Sequence, residues 1–354
     1  MTTVSEVMKP PRTEVGVLGW LKKNLFGTWY DALLTVASVA FVSGVLYGVT
    51  MWALNTAEWG VVTTNIKVFM VGRYPNPEIW RIWVSVGLFV VMAAVTLVIW
   101  KREIIRARRA VTITWVVVLL LTIVLLFGFG DNAILPSVPL SIWSGLMLTL
   151  TLGIVGITFS FPIGVLLALG RRSNLPVIRV FSTMFIETVR GVPLITVLFM
   201  AMLMLPLFLP ASISGRLSNV LRAMVGMTLF SAAYVAENVR GGLQAIPKGQ
   251  YEAGRAVGLN EAYVMALIVL PQALRAMIPA IVGQFISLYK DTSLVVIVGL
   301  LDLLGIAKAV TGQTAWIGLQ KEVFAFAGVI YFVTCSVMSI ASRRLEKQLG
   351  VGER

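Results

Sequence analysis

Six ionisable residues stand in or beside long apolar stretches of this chain: Glu187, Arg190, Glu237, Arg240, Lys290 and Asp291. At membrane depth such groups are costly unless paired or wetted, so the default reading is a functional cavity. The chemistry open to them is recognition by charge and hydrogen bonds, with Tyr234, Thr292 and Ser293 adding hydroxyls. The competing reading is structural. Glu187–Arg190 and Glu237–Arg240 are both spaced i to i+3, as fixed pairs on one helix face are. Structure or gating is the better account of those four, and the two readings weigh equally for Lys290 and Asp291. Covalent chemistry has little to work with. There is no histidine, and Cys335 is the only cysteine, which excludes a His-based triad, a Cys/His metal site and an intrachain disulfide. No metal-binding carboxylate cluster and no G-x-x-x-x-G-K-[ST] phosphate loop occurs.

The elements that must position these residues are membrane helices. The chain is 58% hydrophobic and 13% charged, with a mean hydropathy of +0.90, more apolar surface than a water-soluble fold can hide. Several runs reach the roughly 20 residues that cross the hydrocarbon as helix. The net charge of +13 is placed for topology rather than for nucleic acid. Lys9, Arg12, Lys22 and Lys23 precede the first span, and Lys101, Arg102, Arg106, Arg108 and Arg109 crowd one gap. Arg171 and Arg172 close another span, and Arg343, Arg344 and Lys347 follow the last. These segments read as cytoplasmic and as facing anionic headgroups.

About eight spans are expected: Ala32–Leu54, Trp83–Trp100, Val111–Phe129, Ile142–Gly170, a fifth from Pro176 to Pro210 broken at Gly191-Val192-Pro193, then Val220–Val239, Leu274–Leu288 and Val323–Ala341. The stretch through Lys67, Arg73 and Arg81 reads as external although its charges oppose the rule, and Asp131–Pro139 reads as a second external connection. Leu294–Thr311, apolar but carrying Gly and Asp, reads as a partly inserted helix packed against protein. Small residues such as Gly153, Gly156 and Gly164 permit close helix approach. Tryptophans near span ends, Trp143 among them, read as interfacial anchors. Met200, Met202 and Met204 read as packing.

Between two apolar runs lies the polar segment Tyr251–Pro271. Pro247 suits the entrance of a short helix, Gln250–Val257 allow about two turns, and Gly258 suits the left-handed residue that ends it. Asn260 is a good N-cap for the next helix, which Pro271 kinks or ends. Two short helices at an angle form a knuckle. A Glu252–Arg255 pair is worth only about 0.2–0.5 kcal/mol, so it does not explain the segment.

Glu252 and Ala253, then Gly258, then Ile268, Leu270 and Pro271, in that order, resemble the EAA loop of ABC importer permeases. The resemblance extends to Glu187-Thr188-Val189-Arg190-Gly191-Val192-Pro193, Ala232–Gly242, Ile246–Gln250 and Lys290–Leu294. Over about Ser141 to Leu349 the chain is similar to the permeases of polar amino acid importers. With Phe69–Pro75 in its N-terminal extension it is similar to their eight-span general L-amino-acid subgroup. The resemblance implies an all-α polytopic fold: a cytoplasmic segment (1–31), a three-helix prefix (32–140), a five-helix core (141–341) with its coupling loop at 240–271, and a cytoplasmic tail (342–354). It implies a multi-pass protein of the bacterial inner membrane, both termini inside. It further implies a second homologous permease, two ATP-binding cassette subunits that hold the ATP and Mg, and a periplasmic binding protein.

Glu252, Ala253, Gly254, Gly258, Leu259, Leu270 and Pro271 would then couple to the ATPase, and the chain itself would bind no cofactor and catalyse no covalent step. Gly254 departs from the alanine usual in the family and is expected to loosen the knuckle. For a zwitterionic amino acid, Glu237 and Asp291 suit the ammonium, Lys290 or Arg190 the carboxylate. An ion-coupled carrier is the main alternative, with a membrane-bound lipid enzyme as a third class; neither has a reason for the coupling segment.

Overall fold

The apolar runs become helices in the computed structural model, which describes residues 16–102, 105–130, 135–210, 212 and 217–350. Lys9, Arg12, the start of the Asp131–Pro139 connection and the last four residues of the tail lie outside the described residues. Two compact units are present, divided between Trp59 and Gly60. In the first, α1 (Val17–Leu25) precedes α2 (Trp29–Met51). A capping box starts α2, with Thr28 Oγ1 accepting from Asp31 N and Asp31 Oδ2 from Thr28 N, two orphan donors satisfied together. None of the residues of α2 is buried, as suits a helix apolar on every side.

The second unit holds α3 (Gly60–Val71), α4 (Ile79–Lys101), α5 (Ile105–Phe127), α6 (Gly145–Arg171), α7 (Pro176–Arg190) and α8 (Leu194–Phe208). It continues with α9 (Asn219–Ala245), α10 (Lys248–Ala256), α11 (Glu261–Val298), α12 (Leu303–Thr311) and α13 (Gln320–Gln348). Across the described residues seven helices are long and apolar enough to cross a membrane, or eight if α7 and α8 form one span broken by 111°. The break falls at Gly191–Pro193, where proline cannot continue the hydrogen-bond ladder.

α9 is the most buried span and packs along α6 and α11. Close approach depends on missing side chains: a Cβ at Gly164 would lie 2.7 Å from Val235 Cβ, and one at Gly242 would lie 2.6 Å from the Ala273 carbonyl oxygen.

Several expectations need correction. The stretch carrying Lys67 is not a plain loop. α3 buries Val61, Val62 and Phe69 against Leu303, Ile306 and Val323, so it packs with the later helices. Arg81 is fully buried, bound to Glu78 at 2.8 Å and donating to the Pro136 carbonyl at 2.9 Å; its charge is neutralised internally. Trp143 is no interfacial anchor, being buried against Tyr74 and Phe127. Of the three methionines only Met202 is buried, while Met200 and Met204 are exposed. Leu294–Thr311 divides in two. A tight helical stretch runs to Val298, Gly299 turns with φ +82°, and Asp302 caps α12 by accepting from Gly305 N at 2.9 Å. α12 is then buried through Leu303, Ile306, Ala307 and Val310.

Candidate site: the coupling knuckle and its charge network

α10 begins after Pro247, which sits at the N-cap, one place before the entrance position expected of it. The helix closes with two hydrogen bonds, Leu259 N to Gly254 O at 3.2 Å and Gly258 N to Arg255 O at 2.9 Å. With Gly258 at φ +84° this is a Schellman close, the left-handed residue being one glycine adopts without steric cost. Asn260 Oδ1 accepts from Tyr263 N at 2.9 Å and starts the next helix. Pro271 neither ends nor sharply bends it. A wide π turn over Val264–Val269 leads directly into Leu270–Asp291, and the wider turn makes room for a ring that would otherwise strike the carbonyl four residues back. Arg255 bonds Glu261 across the turn at 2.7 Å instead of Glu252. That carboxylate pushes the guanidinium pKa up. Glu252 is left exposed.

Gly254 does not loosen the knuckle. It is the buried residue of α10, and a Cβ there would stand 2.9 Å from Val264 Cγ2 and 3.0 Å from Ile268 Cδ1. The missing methyl lets the two arms touch. Gln272 Nε2 to Gln250 Oε1 at 3.1 Å joins them again, and Tyr251, Leu259 and Leu270 pack on the cluster of Val235, Val239 and Leu243. The outer face is exposed at Glu252, Val257, Gly258 and Tyr263.

Four of the charged residues are brought together: the helix-local pair Glu237–Arg240 forms, Glu187–Arg190 does not, and the remaining contacts run between helices. Glu237 receives Arg240 through its Nε at 2.9 and 3.0 Å, and Arg171 and Arg190 approach it at 3.5 Å each. Glu187 pairs with Arg171 at 2.9 Å, not with Arg190. Arg190 also lies 5.6 Å over the Tyr234 ring. The three arginines and two glutamates tie α6, α7 and α9 together. Both oxygens of Glu237 are thus engaged, which removes it as an open partner for an ammonium.

Lys290 and Asp291 stand apart from this network. Asn238 donates to Ala280 O at 3.3 Å, which aligns antiparallel α9 with α11, and Lys290 lies ten residues, about 15 Å, further along. Neither Lys290 nor Asp291 makes an ion pair among the described residues. Thr292 is fully buried and donates to Tyr289 O, and Ser293 donates to Lys290 O.

Two residues read from sequence only as topology signals prove central. Arg171 joins Glu187 to Glu237. Its neighbour Arg172 reaches the knuckle, donating to Tyr251 Oη at 3.1 Å with its guanidinium 5.7 Å from that ring. Adjacent basic residues at a span end fit the topology rule so well that nothing local marks a second role.

The model of the binding-protein-dependent transport system inner membrane component matches residues 160–351. The chain is 41% identical to the inner membrane amino-acid ABC transporter permease YhdY of Escherichia coli K12, covering 94% of this chain and 93% of that protein. It is 34% identical to the glutamate/glutamine/aspartate/asparagine transport system permease BztC of Rhodobacter capsulatus, over 98% of this chain and 97% of that one. A solved amino acid ABC transporter crystallised with histidines is 30% identical, covering 58% of this chain and 92% of that chain at a TM-score of 0.49. The family model and the two permease relatives show it: the chain belongs to the binding-protein-dependent inner membrane components and is the permease subunit of an ATP-driven importer, whose ATP hydrolysis belongs to partner subunits.

Proposed function

We propose that this chain pairs with a second, homologous permease and carries polar L-amino acids inward. The complex is completed by two ATP-binding cassette subunits holding ATP and Mg and by a periplasmic amino-acid-binding protein. The observation that carries this reading is the closed knuckle, rigid within and apolar at Val257 and Tyr263 on its outer face. An exposed patch of that kind beside charged Glu252 suits a cleft in another protein. The named substrates of the similar permeases support an amino acid cargo. With both termini cytoplasmic, residues 240–271 meet the ATPase, and Glu252, Ala253, Gly254, Gly258, Leu259, Leu270 and Pro271 form the joint on the inner side of the 141–341 core.

Closure of the ATPase dimer would move α10 as a body. Tyr251 and Arg172 pass that displacement to the end of α6, and Arg171 passes it to Glu187 and Glu237. Glu187, Arg190, Tyr234 and Glu237 thus serve gating, and transport is a shift between inward- and outward-open populations. For the zwitterion, Asp291 is the remaining carboxylate for the ammonium and Lys290 the cation for the carboxylate, with Ser293 beside them.

The test is uptake of radiolabelled amino acids by cells expressing the whole operon, wild type against Gly258→Asp. Apart from its chain neighbours, no atom of the described residues lies within 4 Å of a Cβ placed at Gly258, although its left-handed φ strains any side chain there, so the new carboxylate meets the partner rather than this chain's core. Lost uptake together with weakened ATPase association is the expected result. Unchanged uptake and association would reduce the segment to a loop and restore the ion-coupled carrier.

A further inference from the structure

Just past Pro271, one turn of α11 is held on three sides. Gln272 Nε2 donates to Gln250 Oε1 of α10 at 3.1 Å. Ala273 is fully buried, and its carbonyl oxygen lies against α9, 2.6 Å from where a Cβ on Gly242 would stand. Arg275 Nη2 donates to the carbonyl of Leu349, the C-cap of α13. One turn thus meets α10, α9 and α13, and its contact with α13 is made by an exposed side chain.

Arg275 meets a finished helix end. Leu349 N bonds Leu345 O at 3.0 Å, Gly350 takes φ +61°, and its N–H returns to Lys347 O at 3.2 Å. The last carbonyls of a helix have no partner within it and form the negative end of its dipole. A guanidinium is a favourable donor there. A Cβ on Gly350 would lie 3.6 Å from Arg275 Nη2, so the side chain lies across the cap. Packing does not repeat this tie in the next turns. Beyond Arg275, α11 and α13 stand apart around a cleft of about 280 Å³, with Pro279, Gly283 and Ile286 on one wall and Ser339, Ser342 and Arg343 on the other. Outside its own helix, no atom of the described residues lies within 4 Å of a Cβ placed at Gly283.

We propose that Arg275 is a positioning residue for coupling, which carries the displacement of the knuckle into α13. The route is separate from the contact of Arg172 with Tyr251, which leads to α6. As α10 moves, Gln250 draws Gln272, and Arg275 on the same turn draws the end of α13. Without the guanidinium the cap turns to water, and that end of α13 no longer follows. The inference rests on the reading that residues 240–271 meet the ATPase.

The test measures amino acid moved per ATP hydrolysed by the complete transporter in vesicles, with ATPase association followed alongside. Arg275→Met should lower the ratio about threefold, the scale of one cation lost from a helix C-terminus, while association holds. Arg275→Lys keeps a charged donor and should retain most of the wild-type ratio. Ending the chain after Gly350 keeps the cap and should change nothing. Ending it after Arg344 removes the cap, and Arg275→Met should then add no further loss. A wild-type ratio in Arg275→Met, or a further loss from it in the shortened chain, would overturn the proposal. So would an equal fall in ATPase association, since Arg275 would then belong to the partner's footprint. Where the shortened chain fails to assemble, Arg275→Met against Arg275→Lys decides alone. Gly258→Asp separates this inference from the reading beneath it. If that variant keeps its ATPase, the knuckle is not the joint and both fall; if it loses its ATPase while Arg275→Met keeps its ratio, only the role of Arg275 falls.

Discussion

Both carboxylate oxygens of Glu237 are engaged by guanidinium groups, whereas Glu187, more than half exposed, meets Arg171 alone. The two glutamates are chemically alike and differ only in what depends on them. Glu237→Gln leaves Arg171, Arg190 and Arg240 clustered without their common anion, and losing charge-assisted hydrogen bonds in a partly buried network costs about 2 kcal/mol. Glu187→Gln removes one partly solvated contact and should cost less than about 1 kcal/mol. Thermal unfolding of the purified complex should therefore show a clear drop for the first and almost none for the second; equal shifts would mean that Glu237 is no hub. From sequence, the i to i+3 spacings offered Glu187–Arg190 and Glu237–Arg240, and only the second forms. Partner choice was decided by how α6, α7 and α9 meet, which no local spacing encodes.

At the scale of elements, the knuckle was the most legible part of the chain because its signals are local. A left-handed glycine and an asparagine cap act over three or four residues and are visible as residue types. The role of Gly254 was not legible, since its helix propensity points to weakness while its contact with Val264 and Ile268 comes from the neighbouring arm. Two glycines four residues apart should thus respond unequally to bulk. Gly258→Ala meets open space and loses only the left-handed preference, about 1 kcal/mol. Gly254→Leu forces the arms apart, at a cost of about 1–3 kcal/mol for overpacking. Binding of the purified ATPase should weaken strongly in Gly254→Leu and little in Gly258→Ala; the reverse order would show that the joint has no need for close arms. Pro271 shows the complementary failure: its effect depends on the π turn before it, and nothing in residue type announces that turn.

Across the whole molecule, the contacts joining the knuckle to the charge network converge at the end of α6. Arg172 holds Tyr251 on the knuckle, and Arg171 holds the two glutamates. Tyr251→Phe removes the hydroxyl and keeps the ring, so ATPase association should persist while amino acid moved per ATP falls by about fivefold, a small coupling free energy. Arg172→Ala should do the same, and the double variant no worse than either alone. Additive losses in reconstituted vesicles would show that the two residues act separately. The adjacency of these arginines also limits what evolution can do here. Neighbouring helical residues point about 100° apart, and the two guanidinium groups use that difference to face different partners. Each side chain can be exchanged with graded effect, but inserting or deleting one residue in the last turns of α6 would swing both off target at once. Variants of this stretch should therefore tolerate changes of residue type better than changes of length.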